Sequence, residues 1–273
     1  MMIQDIGSYR LDNSFRNEVP DEHSYVLCFV NGDINVRYIE DKRMLEYPLW
    51  NKEDDLVYAF SIDDEKYFLS LKDEKLNGFD LYSMRDLRAL DLRENKDIFI
   101  AYTAYHLYHW YTTSVYCGKC GHKLVHSENE RAMVCKECGN VIYPRINPAV
   151  IIGVKNKDRL LLTKYREGYA NYALVAGFTE FGETLEETVQ REVIEETGLK
   201  VKNITYYKSQ PWGIASDILA GFYCEVDGDD TIRMDENELK YAQWVKREDI
   251  ILQPKPYSLT NEMMDRFKRG LEK

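Results

Sequence analysis

Residues 177–199 read Gly-Phe-Thr-Glu-Phe-Gly-Glu-Thr-Leu-Glu-Glu-Thr-Val-Gln-Arg-Glu-Val-Ile-Glu-Glu-Thr-Gly-Leu. This stretch restricts the fold most, because it specifies a loop, a helix and a stop in succession. Thr184 followed three residues later by Glu187 fits a capping box and predicts a helix starting near Leu185. Gly198 supplies the left-handed residue that ends it. Leu185, Val189 and Val193 recur at i, i+4 and i+8 and are expected to form the buried face. Glu192, Glu195 and Glu196 lie three and four residues apart and are expected to share a different, exposed face, with Glu183 arriving from the preceding loop. Carboxylates this close repel one another, so the arrangement is costly unless a cation neutralises it. Oxygen-only ligands suit Mg²⁺ or Mn²⁺, which keep several waters and complete their coordination with substrate phosphates. For a glutamate-rich helix taken alone, the competing explanation is a solvated acidic face.

The fixed positions decide between the two. Gly177-x5-Glu183-x7-Arg191-Glu192-Val193-x-Glu195-Glu196-x-Gly198-Leu199 matches throughout the signature of the Nudix hydrolases, which the chain therefore resembles. The resemblance implies an α+β or α/β Nudix fold, in which the signature forms a loop-helix-loop against a mixed sheet. It also implies hydrolysis of a nucleoside diphosphate linked to another moiety.

A second feature is independent of the first. Cys117-Gly-Lys-Cys120-Gly and Cys135-Lys-Glu-Cys138-Gly are two Cys-x2-Cys knuckles with 14 residues between them, a tetrathiolate zinc spacing. Each knuckle ends in glycine, which lets the chain turn tightly around the thiolates. Disulfides are the alternative, but the amino terminus shows no secretory pattern, and Cys28 and Cys224 sit alone in apolar, strand-like runs. Four sulfurs close the coordination sphere, so Zn²⁺ here is expected to be structural. His122 and His126 read as surface histidines.

Composition frames these sites. With 44% hydrophobic residues the chain can bury substantial cores. No apolar run approaches the roughly 20 residues needed to span a bilayer, and a soluble, cytoplasmic protein with no membrane partner is expected. A net charge of −11 argues against a broad nucleic-acid surface, which normally relies on Lys and Arg.

Residues 1–112 carry short strand-like runs at 24–30, 34–39, 56–62 and 67–71, divided by Asn-Gly and acidic turns. They are expected to form a β-rich domain ending in a helix over 97–113, where Ile100, Ala104, Leu107, Tyr108 and Tyr111 recur at helical spacing. Its aromatics read as packing, and His106 and His109 as structural, since no third metal donor accompanies them. A zinc ribbon over 113–142 and a hydrolase domain over 143–273 should follow. Within the latter, strands are predicted at 149–154, 159–163, 172–176, 204–209, 218–226 and 241–245, a loop at 168–171, and a closing helix over 261–271.

The order of zinc knuckles, Tyr143-Pro-Arg-Ile, signature and Ser209-Gln-Pro-Trp212 is similar to that of the bacterial NADH pyrophosphatases, the NudC-type group within the family. That likeness implies cleavage of NAD(H) to nicotinamide mononucleotide and AMP, removal of NAD caps from RNA 5′ ends, and a homodimer. By the same likeness Glu192, Glu195, Glu196 and Glu238, with the carbonyl of Ala176, would hold the catalytic Mg²⁺ or Mn²⁺. Glu196 would position or deprotonate the attacking water, and Arg191 would orient a glutamate. Tyr143, Phe178, Gln210, Pro211, Trp212, Thr260 and the run Gly213, Ile214, Ala215, Ser216 and Asp217 would line the substrate pocket. No Ser, Cys or His is arranged as a covalent nucleophile, so direct attack by water is expected. Lys164 and Arg166 offer additional positive charge.

One segment departs from the group. Its pattern continues Ser-Gln-Pro-Trp-Pro-Phe-Pro-x-Ser, whereas this chain has Gly213-Ile-Ala-Ser-Asp217 after Trp212. Loss of two prolines loosens the loop, and an acid stands where a hydroxyl is expected. Three readings follow: an NAD(H) pyrophosphatase, a Nudix hydrolase with specificity shifted to ADP-ribose or a dinucleoside polyphosphate, or a zinc-ribbon module that docks nucleic acid or protein.

Overall fold

The computed structural model describes residues 2–51, 56–166 and 171–272. Residues 168–170 of the expected loop therefore lie outside the described residues. The chain divides into two compact units, one of residues 3–145 with 213–216, the other of residues 146–212 and 217–272 with Met2.

The first unit begins with strands β1 (Leu11–Asp12), β2 (Tyr25–Leu27), β3 (Phe29–Val30), β4 (Asp33–Ile39), β5 (Met44–Glu46), β6 (Leu56–Ile62), β7 (Glu65–Ser70) and β8 (Asp80–Tyr82). One sheet has the order β1-β6-β7-β2; in the other, β3, β5 and β8 all pair with β4. The single strand expected over 24–30 is split at Cys28. Buried Asn35 takes the Cys28 carbonyl with both its backbone N–H, at 2.9 Å, and its side-chain amide, at 3.1 Å, so β2 pairs with β7 while β3 pairs with β4. Helix α1 (Met84–Ala89) was not apparent from the sequence; α2 (Asn95–Thr113) was, to within two residues at its start. Tyr102, Tyr108, Trp110 and Tyr111 of α2 are buried, and Tyr108 stacks on Phe29 at 4.5 Å between centroids. The aromatics thus pack, as their spacing suggested. Three two-residue strands, β9 (Val125–His126), β10 (Met133–Val134) and β11 (Val141–Ile142), form the small antiparallel sheet of the ribbon.

The second unit is a mixed sheet with a helix on each face. Its strands are β12 (Asn147–Asn156), β13 (Arg159–Tyr165), β14 (Val175–Phe178), β15 (Val201–Trp212), β16 (Asp217–Val226) and β17 (Leu239–Lys246). Their order is β15-β16-β12-β13-β17, with β14 added beside the first half of β12. Only β12 and β16 run parallel. β12 reads as a continuous apolar run because both its faces are covered. Val150, Ile152 and Val154 pack with Val189 and Val193 of helix α3 (Leu185–Thr197). Ile151 faces the opposite core, with Leu259, Met263, Met264 and Phe267 of helix α4 (Leu259–Lys268). Burying each of the two α3 valines contributes roughly 2 kcal/mol. Among the described residues no helix is long and apolar enough to cross a membrane.

Candidate active site and metal centre

Helix α3 starts and stops where its sequence specifies. Thr184 Oγ1 accepts from the Glu187 N–H at 3.2 Å, and Glu187 Oε2 accepts from the Thr184 N–H at 2.7 Å. Gly198 ends the helix at φ +69°, a conformation that costs a residue with a Cβ. Val189 and Val193 are fully buried and anchor the helix against β12. Its carboxylates are thereby carried to β14.

The expectation that all three glutamates share an exposed face is corrected. Glu195 is exposed, but Glu192 is half-buried and Glu196 only 1% accessible. Glu196 lies one turn on from Val193, at the edge of the apolar face, where it meets Tyr165. The Tyr165 hydroxyl lies 3.3 Å from Glu196 Oε1 and 3.4 Å from the Ala176 carbonyl. Glu196 Oε2 is buried and has no hydrogen-bond partner among the described residues. Burial, then the nearby carboxylates of Glu192 and Glu238, push the Glu196 acid up to about 8. Glu192 is also raised by burial, which outweighs the adjacent Arg191. Glu238, exposed in the turn just before β17, is thus electrostatically part of the cluster.

Arg191 holds the strip together. Its Nε and Nη2 donate to the two oxygens of Glu183 at 2.6 and 2.9 Å, Nη1 donates to Glu192 at 2.6 Å and Glu195 at 2.9 Å, and Nη2 also reaches the Phe178 carbonyl at 2.8 Å. These charge-assisted bonds hold the Glu183 carboxyl down at about 2. Gly177 is required by close approach, because a Cβ there would overlap the Glu192 carboxyl. A buried carboxylate oxygen without a partner is unfavourable. Beside a second half-buried carboxylate and a backbone carbonyl, it fits a divalent cation bound through oxygen.

Other residues singled out from the sequence are placed as follows. Phe178 ends β14 with its ring 52% exposed. Gln210 is fully buried; its amide donates to the Tyr257 carbonyl at 2.9 Å and accepts from the Leu259 N–H at 2.7 Å, so it shapes the entry to α4. Pro211 and Trp212 end β15, Asp217 opens β16, and Thr260 is the second residue of α4. Asp217 is buried and lies 3.5 Å from the Asn147 amide. Tyr143 and residues 213–216 belong to the other compact unit. There Tyr143 is exposed and donates to Glu130 at 3.2 Å. Gly213, Ile214 and Ala215 form a 3₁₀ turn against α2, with Gly213 too close to the Tyr102 carbonyl to carry a Cβ, and Ser216 adopts φ +60°. Lys164 lies over the Tyr172 ring at 4.0 Å, and Arg166 Nε donates to the Glu236 carbonyl. Both cations are therefore already engaged.

The sequence reading passed over Tyr165. An irregularity in the β13–β17 register falls between Lys164 and Tyr165, and such bulges redirect side chains. No local motif announces it.

The four cysteines form a separate centre. Among the described residues they are the group of metal-donor side chains whose ligand atoms all lie within 4.8 Å of one another. Three Sγ–Sγ separations are 3.4, 3.4 and 3.7 Å, against the roughly 3.8 Å edge of a tetrahedron with 2.3 Å Zn–S bonds. The two knuckles repeat one geometry. The Gly121 N–H donates to the Cys117 carbonyl and the Gly139 N–H to the Cys135 carbonyl, at 2.8 and 3.0 Å. The set fits structural Zn²⁺.

A capped helix that lays glutamates beside a mixed sheet, with an arginine tying them to the loop before it, defines a hydrolase site of the Nudix class. Residues 145–267 match the family model described as the NUDIX domain, and residues 113–143 match the NADH pyrophosphatase zinc ribbon domain. The chain is 37% identical over 189 residues to the NAD-capped RNA hydrolase NudC of Escherichia fergusonii, a match covering 68% of this chain and 71% of that protein. It is 40% identical over 159 residues to the enzyme of the same name from Shigella flexneri, covering 57% of this chain and 61% of that one. The chain belongs to the Nudix hydrolase family, within its NudC-type, zinc-ribbon-bearing group. In fold, it is similar to a Nudix hydrolase crystal structure from Nitrosomonas europaea, with a TM-score of 0.50, 20% identity, and coverage of 56% of this chain and 90% of that one.

Proposed function

We propose that the chain hydrolyses the pyrophosphate bond of NAD(H) to nicotinamide mononucleotide and AMP, and cleaves the same bond in NAD-capped RNA 5′ ends. The observation that carries this is Glu196 Oε2, buried and unpartnered among the described residues, on the same helix as the Arg191-bound Glu192 and Glu195. The NADH pyrophosphatase-type ribbon and the NudC relatives support the choice of substrate. Glu192, Glu195, Glu196, Glu238 and the Ala176 carbonyl would hold Mg²⁺ or Mn²⁺, and Cys117, Cys120, Cys135 and Cys138 would hold Zn²⁺. When bound, the divalent cations screen the diphosphate and stabilise its developing charge.

The protein's own residues supply the positioning. Arg191 holds Glu192 and Glu195 in place through two bonds of one guanidinium nitrogen. Glu196 would also position the nucleophilic water and accept its proton. The water oxygen bonds to one phosphorus as the bridging P–O bond breaks, and the second phosphate leaves with the bridging oxygen. Phe178, half-exposed at the end of β14, would stack on a planar ring, with Trp212, Asp217 and Thr260 of the same unit as further pocket residues. A cytoplasmic homodimer accompanies this reading, and light scattering would check the dimer.

The 213–217 segment favours a second reading, in which the chemistry stands but specificity has moved to ADP-ribose or a dinucleoside polyphosphate. This segment lacks the group's prolines, and Asp217 stands buried at its end. Incubating the protein and Mn²⁺ with NADH, NAD⁺, NAD-capped RNA, ADP-ribose and a dinucleoside polyphosphate, with products identified by mass, decides the matter. Reduced nicotinamide mononucleotide and AMP should be the fastest products. Faster cleavage of ADP-ribose or the polyphosphate would support the second reading.

A further inference from the structure

The cation-binding glutamates proposed above need one oxygen of Glu196 presented and the other restrained. Tyr165 is the side chain that does this. Its hydroxyl touches Glu196 Oε1, at 3.3 Å, and the Ala176 carbonyl, at 3.4 Å, both among the proposed metal-holding groups. Glu196 Oε2, the atom left over, is buried and unpartnered among the described residues.

The backbone is built to deliver this contact. β13 follows β17 in register from Arg159 to Lys164, then shifts at Tyr165, which pairs with Leu239, the residue after Glu238. The irregularity therefore sits at the junction of two proposed cation-binding carboxylates, where a bulge can re-aim a side chain. The phenol carries one proton, which it shares between Glu196 Oε1 and the Ala176 carbonyl.

Resting on the function proposed above, we infer that Tyr165 is a positioning residue. Its hydroxyl holds Glu196 Oε1 and the Ala176 carbonyl in one orientation, leaving Glu196 Oε2 as the oxygen presented to the divalent cation. Such supporting hydrogen bonds typically change metal affinity by about 10- to 100-fold.

The test is a double-mutant cycle of Tyr165→Phe and Glu196→Gln, read by equilibrium Mn²⁺ binding from the electron paramagnetic resonance signal of free Mn²⁺. Thermal midpoint and zinc content monitor the fold. Tyr165→Phe should weaken Mn²⁺ binding about tenfold or more with midpoint and zinc retained, and should have a clearly smaller effect in the Glu196→Gln background, where only the Ala176 carbonyl remains to be held. Unchanged Mn²⁺ affinity in Tyr165→Phe, while Glu196→Gln weakens it, would overturn the role of Tyr165 and leave the glutamate site standing. Additive effects of the two substitutions, or a lowered midpoint with intact affinity, would also overturn it. If Glu196→Gln leaves Mn²⁺ binding untouched, the glutamate site itself fails, and this inference with it.

Discussion

Two clusters of acidic side chains, four thiols in the ribbon and four glutamates beside β14, are handled in opposite ways. The thiols converge, with the measured sulfur separations of 3.4 to 3.7 Å close to those of a single tetrahedral ion. They are brought together by two copies of one local turn. The glutamates are instead tied to a cation of the chain itself, Arg191, which bonds Glu183, Glu192 and Glu195, while Glu196 keeps a buried oxygen unpartnered among the described residues. A closed ligand set supports folding and gives a substrate no point of entry; an open set leaves coordination positions for water and phosphate. The difference suggests that the ribbon serves stability and the glutamate strip serves chemistry.

The largest effect expected from this contrast is structural. Cys117→Ser removes one of four thiolates, and structural zinc contributes folding free energy directly. It should lose stoichiometric zinc and lower the thermal midpoint; a variant that keeps both would remove the structural role of the ribbon. On the other side, Glu196→Gln should retain its zinc and fold but lose on the order of 10² in turnover. Near-parental turnover would take Glu196 out of the mechanism.

Asp97 sharpens the contrast as a half-buried acid outside both clusters. One of its oxygens accepts from the Leu45 N–H at 2.7 Å, yet burial still raises the group to about 6. A raised acid holds its proton in the folded state where the unfolded chain has lost it. Its stabilising contribution is therefore complete below about pH 4 and is lost as pH rises through about 6. Asp97→Asn should abolish that loss, flattening the stability profile between pH 4 and 6 by up to about 3 kcal/mol in denaturant titrations. An unchanged slope would mean Asp97 ionises freely. The smallest effect is assigned to Gly177→Ala, whose methyl must displace the Glu192 carboxyl. About a tenfold fall in turnover at an unaltered midpoint is expected, and parental turnover would show that Glu192 tolerates the shift.

Local chemistry explains what was legible from the sequence. The capping box at Thr184, the left-handed stop at Gly198 and the cysteine knuckles each specify their geometry within a few residues, and all appear in the structure. The strands expected over 218–226 and 241–245 likewise fall within β16 and β17. What depends on other parts of the chain was not legible. The contact that Glu196 makes with Tyr165 comes from the end of a separate strand. The placement of Tyr165 comes from a register irregularity without a sequence signature. Gln210 was read as a substrate contact, but nothing near it in the sequence foretells that its amide would bond the backbone at Tyr257 and Leu259.

The division of labour between the two clusters is tested most directly by metal content against turnover. The protein would be dialysed until Mg²⁺ and Mn²⁺ are removed while zinc is retained, and its NADH cleavage followed as Mn²⁺ is added back. The account predicts one zinc per chain throughout, no turnover before addition, and turnover that rises with Mn²⁺ and vanishes in Glu196→Gln. Turnover that persists without added metal, or follows zinc content instead, would contradict it.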